Sequence, residues 1–258
     1  MGTMKRLPLV LAALLVAAVA VAVAPSAASA QIVELGQTST PIVAPSCPKN
    51  TPLSSCSIVL VHTTAVQSTA DGVINPMRVK KAGWIVAFTV GLSRLVSNAK
   101  TELSLLHGLD QRYGGTPQVA LTVLKPGPGN SFTVVSQSGT LHLIPFLGQV
   151  LQQPLSLPPA FKTMAPLAVK PGYVIGLTVP TWAPILSYNL SPSKFLYRQS
   201  RKANCKTKTP PATDTAQTKV GQSEQYLCSY SGTRVQYSAT EVVNVPYPKS
   251  YVHTRRQP

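Results

Sequence analysis

Acidic side chains are scarce in this chain. Seven Asp and Glu stand against 23 Lys and Arg in 258 residues, a net charge of +16 at pH 7 with His neutral. Glycoside hydrolysis needs two carboxylates flanking one bond. Glu102 and Asp110 are the one nearby pair that could be proposed for it, and solvent-facing charges on a strand and its loop account for them better. The four histidines, His62, His107, His142 and His253, have no metal-ligand spacing. No Gly-x-Ser-x-Gly elbow, phosphate-binding loop or Gly-x-Gly-x-x-Gly turn occurs. No nucleic-acid-binding motif is present, and no segment shows a sustained helical period. The sequence therefore predicts no cofactor and no metal.

Cysteine is limited to Cys47, Cys56, Cys205 and Cys228, with no Cys-x-x-Cys spacing. An even count behind an export signal reads as two disulfides, with three pairings possible. Proximity in sequence selects Cys47–Cys56 and Cys205–Cys228. Their role is structural.

The export signal is the first thing present. Met4-Lys5-Arg6 is a basic start, Leu7 to Ala24 an apolar run just short of a membrane span, and Ala28-Ser29-Ala30 a small-x-small cleavage site before Gln31. Residues 1–30 are expected to be removed, and no later segment is apolar enough to span a membrane. Without Lys5 and Arg6 the net charge is +14. A secreted or envelope location follows, with attraction to polyanions or with simple solubility as the use of the charge.

Residues 31–56 read as a proline-rich arm with a disulfide loop, because Pro41, Pro45, Pro48 and Pro52 forbid a helix and discourage a central strand. From 57 to 242 the pattern is β. In Gly83–Ser93, Trp84, Val86, Phe88, Val90 and Leu92 share the face assigned to the core. Strands are expected at 101–107, at 118–124 with Val119, Leu121 and Val123 inward, and at 131–138 across the turn Lys125–Asn130. More follow at 141–146, 150–157, 194–200, 224–230 and 232–242, with a helical turn at 160–165. Residues 243–258 read as a loose basic tail. The expected fold is all-β: a single antiparallel β-sandwich, jelly-roll-like, with two local disulfides.

Val169 to Pro184 is the most specific stretch. Tyr173, Ile175, Leu177 and Val179 alternate as core, leaving Pro-Thr-Trp-Ala-Pro as a stiff loop around Trp182. An exposed ring there, with Tyr188 and Tyr197, would stack on a sugar; a ring folded back would cap the sandwich. The second candidate is the acid-free segment Lys194, Arg198, Arg201, Lys202, Lys206 and Lys208.

Gly83-Trp-Ile-Val-Ala-Phe-Thr-Val, Val123-Leu-Lys-Pro-Gly, the Val169–Pro184 block and Cys205…Cys228 together resemble a set of uncharacterised secreted bacterial proteins. The resemblance spans most of Gln31 to Val242 and implies no site residue. The expected function is a non-enzymatic binding or structural module of the envelope or extracellular space, with a glycan or other polyanion as partner. A secreted hydrolase of wall polymers, working through His62, His107 or His142 with Asp71, Glu102 or Asp110, is the alternative.

Overall fold

The computed structural model describes residues 29–47, 58–96, 99–155, 164–203, 205 and 215–244. Almost all of the expected leader lies outside these residues. So do Cys56, most of the expected helical turn at 160–165, Lys206, Lys208 and the tail beyond 244.

Strands β1 (Gln31–Leu35), β2 (Val59–Ala70), β3 (Val73–Ile74) and β4 (Gly83–Gly91) precede helix α1 (Ala99–Tyr113). Then come β5 (Gln118–Pro126), β6 (Ser131–Gln137), β7 (Leu141–His142), β8 (Val150–Pro154), β9 (Leu167–Val169) and β10 (Val174–Pro184). The last third holds β11 (Leu186–Ser187), β12 (Leu196–Gln199), β13 (Ser223–Gln225), β14 (Cys228–Ser231), β15 (Arg234–Val235) and β16 (Tyr237–Val243).

One sheet has the order β1-β16-β4-β8, with β9 also on β4; the other runs β13-β6-β5-β10-β2-β12-β14. Their ladders are antiparallel. With the eight principal strands β1, β2, β4, β5, β6, β8, β10 and β16 ranked in chain order, the sheets read 1-8-3-6 and 5-4-7-2. That interleaving is the jelly roll. Phe88, Val90, Tyr237 and Ala239 of the first sheet meet Ala65, Leu121, Val123, Ile175 and Leu177 of the second in one buried core.

The second sheet curls. β13 and β14 end the hydrogen-bonded order on opposite sides, six strand spacings or roughly 29 Å apart if flat. Only Tyr226 and Leu227 separate them in the chain, a reach of about 11 Å. The face of this sheet that carries Thr64, Thr122 and Thr178, opposite to the one that meets the first sheet, is covered by residues 215–226. Thr64 and Thr122 hydroxyls bond Thr178 at 2.9 and 2.6 Å, and Gln137 Nε2 donates to Thr122 Oγ1 at 2.7 Å and to the Gln217 carbonyl at 2.8 Å. Tyr226 donates its hydroxyl proton to Gln217 Oε1. The hydroxyls and amides of this layer are thus paired, as burial requires.

Several expectations are corrected. The strand expected at 101–107 is helix α1. Glu102, Leu106 and Tyr113 recur at helical spacing on its buried side, whereas Leu103 is 68% exposed. The strict alternation in β4 fails at Val86. There a bulge sets Thr240 and Glu241 opposite Ala87 and Ile85, so parity switches. Phe88, Val90 and Leu92 are core as expected, but Ile85 takes the inward place and Trp84 and Val86 are half-buried. The arm begins with strand β1, an edge strand whose prolines all lie beyond it. The strand expected at 224–230 is two strands, β13 and β14, and 141–146 is β7 followed by a 3₁₀ turn at Ile144–Phe146. Cys205–Cys228 is a disulfide, Cα–Cα 5.1 Å. Cys47 is also disulfide-bonded, and its expected partner lies outside the described residues.

Residues 36–43 cross the end of the first sheet. Val43 O passes where a Cβ on Gly91 would come within 1.9 Å, so glycine is required there. Asp71 accepts from Thr38 Oγ1, Thr40 N and Thr40 Oγ1 at 2.5 to 2.7 Å. Buried Arg234 donates to the carbonyls of Thr40 and Gly36.

Candidate functional site: a basic end of the sandwich

Trp182 is fully buried, so of the two readings the ring folded back into the fold is the one present, and the exposed stacking platform is not. Strand β10 continues through Pro180 to Pro184 instead of stopping. A bulge between Val179 and Trp182 leaves Pro180 out of the ladder with β2, so its missing N–H costs no bond. The indole N–H donates to Asp110 Oδ1 and to the Gly115 carbonyl, both at 3.0 Å. With Ile58, Val61, Leu95, Leu106 and Tyr113 the ring forms a second apolar cluster beneath α1. The Pro-Thr-Trp-Ala-Pro block is a fastening for the helix.

The other expected binding residues are largely engaged within the fold, with Arg201 beside the Tyr197–Tyr230 pair. Tyr188 is half-buried against that second cluster. Tyr197 is buried, stacks on Tyr230 with ring centroids 4.9 Å apart, and accepts from Gln199 Nε2. Burial pushes its hydroxyl well above the usual phenol range. Arg198 is half-buried and donates to the Tyr226 carbonyl at 3.1 Å. Arg201 is buried, and among the described residues of the basic segment Lys194 and Lys202 are exposed.

The histidines and acids of the hydrolase reading are also dispersed. His62 packs edge-on near Tyr113, with centroids 6.3 Å apart; His107 meets Gln111 on α1; His142 is exposed on β7. Asp71 is held by threonines, Asp110 by Trp182, and Glu102 pairs with Arg94 at 3.4 Å. Among the described residues, no three His, Cys, Asp or Glu side chains gather where they would hold a metal. A groove along α1, lined by Thr101, Ser104, Leu105, Gly108, Leu109 and Arg112, offers no acid–base pair.

A different cluster is assembled by the fold. Residues 77–81 lie along the start of β10. Ile175 N donates to Met77 O at 3.0 Å, Val79 N to Tyr173 O at 2.9 Å and Gly172 N to Val79 O at 2.9 Å; Arg78 bridges Val174. Alternation then decides the side chains: Met77 and Val79 are buried, while Arg78 and Lys80 face solvent with Lys81. Gly172, at φ 88°, turns the chain between β9 and β10 and leaves exposed Lys170 beside them. On the other side of β10, Val174 pairs Leu124, which sets exposed Lys125 at the same end. Half-buried Tyr173 lies between.

These five cations come from three separate chain segments. Among the described residues, the ion pair present is Arg94–Glu102, elsewhere in the molecule. Lys81 Nζ donates to Gln31 Oε1 at 3.3 Å. The ladder order sets Glu224 of β13 two strands from β5. Two nearby acids are engaged elsewhere: Glu34 accepts from Ser238 and Thr240, and Glu241 is buried, which raises its carboxyl above the ordinary range. Five like charges at one end create a local positive potential. Comparison with family profiles, curated proteins and solved structures finds no match for this chain.

Proposed function

We propose that this protein is a secreted, non-enzymatic binding module of the cell envelope or extracellular space, and that its basic end holds an anionic polymer such as an acid-bearing glycan. The observation that carries the reading is that backbone pairing brings Arg78, Lys80, Lys81, Lys125 and Lys170, none of them in an ion pair among the described residues, to one end of the sheets. The export signal, the disulfides and the excess of cations over acids agree with it. Among the described residues no helix is long and apolar enough to cross a membrane. The tyrosine at the centre supplies an apolar surface on which a sugar ring can rest.

Retention on immobilised heparin and on isolated wall polysaccharide across a salt gradient tests it. The variant with Arg78, Lys80, Lys81 and Lys170 all changed to Gln is expected to elute earlier. Its slope of log affinity against log salt should fall by up to about 3, the counterions no longer released. A second variant of equal charge loss, with Lys100, Arg112, Lys194 and Lys219 changed to Gln, should stay near the wild type. Equal losses in both variants would reduce the reading to net charge alone. A larger loss in the second would move the site away from this end.

A further inference from the structure

The expected cleavage site and the first strand meet at one residue. Ala28-Ser29-Ala30 ends where β1 begins, at Gln31, which pairs with Val243. Leader removal after Ala30 would leave Gln31 as the amino-terminal residue, exposed at the edge of the first sheet. There its α-amine and its own side-chain amide share one residue. The Gln31 amide oxygen also accepts a hydrogen bond from Lys81 Nζ at 3.3 Å.

We propose that Gln31 is a modification site, where the mature amino terminus closes on its own side chain to give pyroglutamate. The α-amine nitrogen attacks the side-chain carbonyl carbon and forms the new C–N bond. The bond from that carbon to Nε2 then breaks. Nε2 departs as ammonia, carrying the proton the amine gives up, so no oxidant, reductant or further reactant is needed. Lys81 favours the step in two ways. Its ammonium draws electron density from the amide oxygen and so stabilises the charge that grows there during attack. A nearby cation also disfavours the protonated amine, leaving more of the nucleophilic neutral form. The Gln31 carbonyl is untouched by ring closure and the lactam keeps an N–H, so the pairing with Val243 retains its donor and acceptor.

The fold gives the change a use. Trimming of residues from a free amino terminus would unzip β1 from β16 one pair at a time; a closed ring leaves no amine for such trimming. The inference rests on leader cleavage, which is part of the proposed export, and is independent of the polymer.

The test is peptide mass analysis of protein secreted with its own leader and collected from the medium over time. The expected amino-terminal tryptic peptide runs from Gln31 to Lys49, is lighter by one ammonia and takes no label at its α-amine, only at the Lys49 side chain. Closure should run faster at pH about 8 than at pH about 6, because the free amine is the nucleophile. In Lys81→Met the closed peptide should accumulate more slowly. A peptide that starts at Gln31 and stays open, with a label on its α-amine, overturns the proposal, as does one that starts elsewhere. Closure in Lys81→Met at the wild-type rate overturns the part given to Lys81. Heparin retention is read separately, so failure of the modification leaves the polymer reading standing.

Discussion

Asp71 shows how a single acid is used in a chain that has few. Its burial works against ionisation, but the hydrogen bonds from Thr38 and Thr40 outweigh it and hold the carboxyl down at about 2, from an ordinary 3.8. A group depressed on folding stabilises the native state above its unfolded value. That contribution is lost as the pH falls from near 3.8 through about 2. Asp71→Asn is therefore expected to lower stability at pH 7 by about 1 kcal/mol, after discount for its partial exposure. Denaturation curves for variant and wild type should converge as the pH approaches 2. A gap that persists there would mean the loss is steric. Residues 36–43 should be where it is felt first, since Thr38 and Thr40 are the donors.

At the scale of elements, α1 and β10 depend on each other. Trp182→Phe keeps most of the ring but removes the N–H shared by Asp110 and Gly115. The expected cost is about 2–3 kcal/mol, from a lost bond to a charged group and a small void. Amide exchange in α1, at Leu106 for example, should quicken more than in β5. Uniform quickening would show that the helix is not held by this bond.

The elements also show what the residue pattern conveys. In β5 the alternation of Val119, Leu121 and Val123 is read correctly because the strand keeps its register through that stretch. In β4 the same rule misplaces Trp84 and Val86, because one bulge residue reverses the parity of everything before it. α1 is hidden by Gly108 at its centre and by Leu103, an exposed apolar residue that makes an even spacing with Leu105. Glu102, Leu105, Leu106, Leu109 and Tyr113 hold the helical spacing that could have found it. The basic end is invisible for another reason: residues 78–81, 125 and 170 become neighbours only through the ladder that β10 makes on each side.

For the whole molecule, the insertion between β10 and β16 is the distinguishing part. It supplies β12 and β14 on one side of the curled sheet and β13 on the other. Cys205–Cys228 closes a loop over a sequence separation of 23 within it. Replacement of both cysteines by Ser is expected to cost about 3 kcal/mol in the loop-entropy picture, read as a lower denaturation midpoint in the oxidised state only. Equal midpoints with and without the bridge would show that strand pairing alone holds the insertion.

The order in which the strands are made has its own consequence. β16, the last strand among the described residues, lies inside the first sheet between β1 and β4, and Gln31 pairs with Val243 far along the chain. A chain emerging amino-terminus first cannot complete that sheet until β16 is out. Such non-local closure is slow compared with local helix pairing. In the proposed export, the polypeptide would stay threadable until β16 has passed through, and only then could the first sheet close.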